Sequence, residues 1–451
     1  VIWVANGGYP GGLINRGRRC SKEITSKKCK EAEMQNRRLS TRLGHIWIVI
    51  VVAFILLASG WVQAPSAAAA DKAPDKIRIG CAIALSGPNS MGGITTQVNP
   101  YKLWVADTNK KGGIFVPKYN KRIPVELIIY DDRSDIETCV KMAEKLIVED
   151  KVDFILPPWG TASNFAIAPV ATKYKQPMMG ITVSSVQLDK RLASTPYFFV
   201  ILGQPQRLVP STVALMQEVG VKSVAVIYTS DLFGLEHVDL VKEYVGKTDI
   251  KMPILQSYPP EIQSFSPLIK RIEAEKVDAV LNYGYPPHTF LLNKEMPALG
   301  YNPKFFQNGV GTQFPSYRDA FGAAGVDGVF GQWALTPKMP YPGAKEFFEG
   351  YKKMFHEEAA MGGEPGAYAS LQILEQAIKK VGDLNREKIR DVIAKDTFDT
   401  VMGPIRFEKG INVQWPGNIG QWQKGVYEVV MPKEFRTAAP IYPKPDWPAP
   451  K

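Results

Sequence analysis

The sequence predicts an α/β fold made of two similar lobes, each a doubly wound sheet. Three observations carry this. Short, almost uninterrupted apolar runs, such as residues 77–85 (IRIGCAIAL) and 125–130 (VELIIY), read as strands buried on both faces, as parallel sheets require. Amphipathic helical stretches alternate with these runs. Finally, residues 151–156 (KVDFIL) are echoed by 276–281 (KVDAVL), each directly after an amphipathic helix, so the second half repeats the first.

Taken in order, the strand at 125–130 ends in Asp131-Asp132. A helix follows over 135–149, with Ile136, Val140, Ala143 and Ile147 on one face. The strand 151–156 leads to a helix near 163–173 and a strand at 178–182. The pattern then restarts with a strand at 224–228, a helix marked by Leu268, Ile269 and Ile272, and the strand 276–281. Residues 344–355, 366–381 and 386–394 read as helices. Residues 414–430, rich in Trp, Gly and Val, read as short strands, and a Pro-rich tail begins at Pro432 that either wraps the surface or stays mobile.

The 451 residues allow two or three domains, and 45% hydrophobic with 22% charged residues is ordinary for a globular chain. The formal charge of +11 points at first to nucleic acid or membrane. It is not evenly spread. Residues 1–70 hold ten basic residues against three acidic ones, leaving 45 against 41 in the remaining 381. The local excess reads as an export signal. Arg37, Arg38 and Arg42 precede a 13-residue apolar run at 46–58, followed by Ala68-Ala69-Ala70. The run is shorter than the ~17–25 residues of a spanning helix. Trp61 after Leu57-Ala58-Ser59-Gly60 leaves no Cys to lipidate. Residues 34–70 are therefore expected to be a cleaved signal peptide, with Met34 the true start and 1–33 an upstream extension. The exported chain, with a net charge of only +4, is then expected to have no nucleic-acid partner.

No catalytic pattern emerges from the exported part. His237, His288 and His356 fall in no metal-ligand spacing, and no Gly-x-Ser-x-Gly elbow or phosphate loop occurs. No cofactor and no metal are expected. Asp131-Asp132 reads as a cap for the helix that follows. In an exported chain Cys81 and Cys139 either pair or stay as two buried thiols. Binding chemistry is better represented. Ligands of open α/β sheets sit beyond the carboxyl ends of the strands. There stand Ser86-Gly87-Pro88, Trp159-Gly160-Thr161, Thr182-Val183-Ser184-Ser185, Asp231-Leu232-Phe233-Gly234, Tyr283-Gly284-Tyr285 and Asn308-Gly309. Small hydroxyls and glycine in the first lobe suit a carboxylate, and aromatics in the second supply apolar walls.

Several of these stretches together carry a family resemblance. Leu85-Ser86-Gly87-Pro88, residues 109–114 (NKKGGI), Tyr130-Asp131-Asp132, residues 265–269 (FSPLI), Tyr283-Gly284-Tyr285-Pro286 and residues 399–404 (DTVMGP) stand in an order that resembles the type I periplasmic solute-binding proteins of ABC importers, of the leucine/isoleucine/valine-binding group. The resemblance spans about residues 76–430. It implies two Rossmann-like lobes joined by three hinge crossovers, near 197–204, 329–336 and 398–405, closing on a solute. The lobes would comprise 75–200 with 335–397, and 201–334 with 398–431, leaving 432–451 as the tail. It also implies a periplasmic monomer with an inner-membrane permease as partner. The family's carboxylate-holding positions would fall near Trp159-Gly160 and Thr182 to Ser184, and its aromatic positions at Phe233 and Tyr285; Ser86 and Thr161 join the expected site from the strand ends alone. The acid that meets an amino group falls at Asn308, a neutral residue, with Asp231 as a substitute charge.

A buried ammonium needs a strong acceptor. The expected solute is therefore a small carboxylate or amide with an apolar or aromatic body, ahead of an ordinary amino acid. Two other classes compete. A sensory domain of the same fold would feed a receptor, but no apolar run after residue 71 is long enough to span. An exported hydrolase would need a nucleophile with a base, and none assembles.

Overall fold

The computed structural model describes residues 72–449, so the extension expected at 1–33 and the leader at 34–70 lie outside the described residues. Two mixed, mainly parallel sheets with flanking helices form the α/β fold. In the first lobe Ile77–Ile83 pairs in parallel with Val125–Asp131 on one side and Phe154–Leu156 on the other. Met178–Gly180 lies beside Phe154–Leu156 and pairs in parallel with Phe198–Val200. In the second lobe the order is Lys251–Tyr258, Ser223–Thr229, Ala279–Tyr283, Phe305–Gln307 and Val329–Gln332, all parallel. An antiparallel hairpin, Ile419–Gln423 with Val426–Met431, completes that edge. In both lobes the winding reverses beside the first strand, which opens a crevice at its carboxyl end.

The repeated Lys-Val-Asp has a structural cause. Lys151 and Lys276 both turn the chain at φ +52°. Two residues on, Asp153 accepts from the Arg78 N–H at 2.7 Å and Asp278 from the Lys222 N–H at 2.9 Å. Each aspartate thus ties its strand's entry to the start of its neighbour and helps fix the register between them.

The helix Ile136–Val148 forms as expected, but its buried stripe is Cys139, Ala143 and Leu146, while Ile136 is exposed. The cap also differs: Asp135 accepts from the Thr138 N–H at 2.7 Å. Asp131 instead accepts from Leu85 and Ser86 N–H and from the Ser86 hydroxyl, fixing the loop after the first strand. Cys81 and Cys139 are two free buried thiols, and burial holds both protonated.

The chain passes between the lobes at 201–204, 333–343 and 413–418. The passage expected at 398–405 is instead a hairpin, Thr397–Thr400 with Gly403–Glu408, that belongs to the first lobe. Its alternating pattern buries Phe398, Thr400, Ile405 and Phe407. The following strand, Ile411–Asn412, pairs in parallel at Val200. The boundary expected at 398 therefore moves to 413–418. The three passages touch. Trp333 Nε1 donates to the Gly203 carbonyl at 2.8 Å, and Asn418 Nδ2 to the Ala334 carbonyl at 2.9 Å. Trp415 lies so close over Gly203 that a Cβ there would come within 2.3 Å of its ring.

The Pro-rich tail wraps the second lobe. Arg436 grips Glu218 with both terminal nitrogens, at 3.0 and 3.1 Å. Trp447 Nε1 donates to the Tyr301 carbonyl at 2.9 Å, and the Lys444 ammonium lies 3.4 Å from the Trp447 ring centre. Among the described residues no helix is long and apolar enough to cross a membrane.

Candidate ligand-binding site

The carboxyl ends of the two sheets face each other across a cavity of about 50 Å³. Trp159, Gly160 and Thr161 reach it from the loop after Phe154–Leu156, and Ile181, Thr182 and Ser184 from the loop after Met178–Gly180. Phe233 and Tyr285 reach it from the second lobe. The rings interlock: Trp159 and Tyr285 lie 5.4 Å apart between centroids, and Phe233 stacks on Tyr285 at 5.2 Å and 28°. Seven of the ten residues expected at the site thus line one cavity.

Three do not. Ser86 is exposed, with its hydroxyl bonded to Asp131 at 2.7 Å. Asp231 caps the helix Leu232–Val245 by accepting from the Gly234 N–H at 3.1 Å. Asn308 is buried below the site, and its amide is fully used. Its Oδ1 accepts from Asn282 Nδ2 at 2.8 Å and the Gly309 N–H at 2.9 Å. Its Nδ2 donates to the Thr289 carbonyl at 2.9 Å and to the Tyr317 hydroxyl at 3.2 Å. An amide has two donors and two lone pairs, so nothing remains for a solute.

Other lining residues escaped the strand-end reasoning: Thr96, Leu202, Val310, Gln313, Trp333 and Gly363. Thr96 is aimed by a π-helical segment, Ile94–Val98, inserted before the helix Asn99–Lys110. The same segment places Gln97, whose Oε1 accepts from the Thr182 hydroxyl at 3.0 Å and whose Nε2 donates to the Pro157 carbonyl at 2.8 Å. Leu202 and Trp333 lie in interlobe passages. Their signal was there, since Trp333 directly follows the strand Val329–Gln332.

Electrostatically the cavity is neutral. None of its fourteen lining residues carries a charge. Desolvation first, and then the nearby Asp231 carboxylate, hold the Tyr285 phenol well above its ordinary range and protonated. At the first lobe's end, Gly160 takes φ +92°, which only glycine adopts freely, and has no side chain to cap the helix Thr161–Lys173. The uncapped N-terminus therefore faces the cavity. The Trp159 indole N–H is buried with no acceptor. Among the described residues no cluster of three or more His, Cys, Asp or Glu could hold a metal ion.

Trp159 rests directly on Gly92, where an added Cβ would lie 2.3 Å from the ring. Gly92→Ala is expected to push the indole into the cavity and lower solute affinity about tenfold or more, with a stability loss of roughly 1–3 kcal/mol. Calorimetric titration alongside thermal melting checks this; unchanged affinity would mean the ring can shift without closing the site.

A cavity between the carboxyl ends of two α/β lobes joined by three chain passages is the arrangement of a solute-binding protein. Comparison with known proteins agrees. Residues 76–425 match the family described as periplasmic binding protein. The leucine-, isoleucine-, valine-, threonine- and alanine-binding protein of Pseudomonas aeruginosa is 24% identical over 358 residues, covering 78% of this chain and 91% of that protein. Two solved structures share the fold. A branched-chain amino acid transporter substrate-binding protein from Streptococcus pneumoniae, in complex with isoleucine, has TM-score 0.69 at 19% identity, covering 79% and 100% of the two chains. An ABC transporter solute-binding protein from R. palustris, in complex with benzoate, has TM-score 0.68 at 16% identity, covering 81% and 98%. The chain belongs to the periplasmic binding protein family.

Proposed function

We propose that the protein is the periplasmic solute-binding component of an ABC-type importer, and that its solute is a small carboxylate, or the matching amide, with an aromatic or compact apolar body. The observation that carries the reading is the neutral lining of an aromatic cavity. A carboxylate finds the uncapped helix N-terminus at Gly160 and Thr161, in a wall whose Thr161, Thr182 and Ser184 hydroxyls already donate to the Ser184 carbonyl, Gln97 and His237. A flat body finds Trp159, Phe233, Tyr285 and Trp333. An α-ammonium finds no carboxylate in the lining, and burying it unpaired is costly. The two similar structures hold isoleucine and benzoate, and this chemistry favours the second.

The solute touches both lobes, so its extra affinity for the closed form drives closure, and the permease of the importer then receives a loaded, closed protein. A thermal-shift and calorimetric screen tests the reading. Benzoate-like acids at about 100 times their Kd are expected to stabilise the fold by about 2.7 kcal/mol. Leucine and valine are expected to give no comparable shift. Clear binding of leucine or valine, with no response to aromatic or aliphatic acids, rejects the solute assignment.

A further inference from the structure

The helix Leu232–Val245 does more than present Phe233 from its first turn. Glu236 and His237, one turn further along, reach across to the first lobe's loop after Met178–Gly180. Glu236 Oε2 accepts from the Val186 N–H at 2.9 Å, and Ser184 Oγ lies 3.4 Å from His237 Nε2. His237 Nδ1 lies 2.8 Å from the Phe233 carbonyl. A carbonyl only accepts, so Nδ1 carries the proton, and the Ser184 hydroxyl donates to Nε2. Both residues are buried, at 4% and 0% exposure, yet neither lines the cavity; Ser184 does. Among the described residues Glu236 Oε1 has no partner, and the Val186 contact is the one hydrogen bond that holds this carboxylate.

We propose that Glu236 and His237 form a latch between the lobes: positioning residues that set solute affinity by holding the closed form through Val186 and Ser184, without touching the solute. The latch rests on the closure reading above but not on the identity of the solute.

It also makes closure respond to acid. Ser184 faces the imidazole from the first lobe, and Glu236 flanks it on its own helix. Tyr283 stacks at 5.0 Å from the second sheet, and Trp333 meets it edge-on at 6.3 Å. Burial keeps the Tyr283 hydroxyl protonated. Burial lowers His237 to about 4, against the Phe233 carbonyl, which raises it. The closed form therefore holds a neutral imidazole. Opening removes the first lobe's cover and returns the ring toward its ordinary value of about 6.5. Between those values the open form binds a proton and the closed form does not. Affinity is then flat above about pH 6.5 and falls as pH drops below it, by at most about 300-fold.

Small-angle scattering of the ligand-free protein between about pH 5 and 7.5 tests the latch without reference to any solute. The wild type is expected to expand as pH falls. His237→Gln, which keeps a polar end but does not titrate, is expected to show no such response. Glu236→Ala is expected to be expanded throughout, and Glu236→Gln, whose amide oxygen can still accept from Val186, to restore the compact form. An identical pH response in His237→Gln, or a Glu236→Ala variant as compact as wild type, overturns the latch. Should Glu236→Ala fail to fold, the His237→Gln response alone decides. Failure of every acid in the screen to bind would strike the solute assignment and leave the scattering result standing.

Discussion

Asn308→Asp is expected to melt about 4–6 °C below wild type and to gain no affinity for amino acids. The substitution changes almost no volume, so packing is not the issue. It removes the two donors that satisfy the Thr289 carbonyl and the Tyr317 hydroxyl, and sets a carboxylate against both. The Tyr317 hydroxyl cannot simply turn to help, because it already donates to Asn293. Breaking a buried polar network while introducing an unpaired charge costs roughly 3–5 kcal/mol. At the usual entropy of unfolding for a chain of this size, that is a drop of about 4–6 °C. The family comparison of sequence positions predicts the opposite, a switch toward amino acids. Differential scanning calorimetry with and without leucine separates the two: a variant that melts like wild type and binds leucine would put Asn308 back in the cleft.

Trp159→Ala carries the second large effect. The indole covers Gly92, meets Tyr285 across the cleft at 5.4 Å, and is only 4% exposed. Truncation removes the first lobe's aromatic wall and the ring contact that joins the lobes over the solute. For an aromatic anchor at the centre of a desolvated site the loss is about 3 kcal/mol, or about 100-fold in Kd. Titration calorimetry with benzoate checks it. Trp159→Phe, which keeps a smaller ring against Tyr285, is expected to recover most of the loss. A Trp159→Ala variant that binds within a few-fold of wild type would move the solute away from this wall.

Much of this was legible from residue order alone, for a physical reason. Parallel strands buried on both faces announce themselves as apolar runs, and the residues just past their ends have few places to go except the crevice. That is why Trp159, Thr182, Phe233 and Tyr285 could be placed from the sequence. What stayed hidden depends on contacts distant in the chain. The hairpin Thr397–Thr400 with Gly403–Glu408 shows clear alternation, but alternation says only that one face is buried, not on which lobe. The parallel bridge of Ile411 to Val200 decides that. Asn308 looked like a ligand residue because its position was visible, whereas its saturation by Asn282, Thr289 and Tyr317 was not. Thr96 depends on a five-residue π-helical segment that no hydrophobic period marks.

The tail that wraps the second lobe has a practical consequence. The first described strand, Ile77–Ile83, sits in one lobe, while Arg436 and Trp447 are anchored to the other. Labels attached beside Lys76 and beside Trp447 would therefore ride on separate bodies, each on ordered backbone. The chain is wired as its own optical gauge: a donor and an acceptor dye at those two places would turn the capture of a colourless acid into a change of emitted colour.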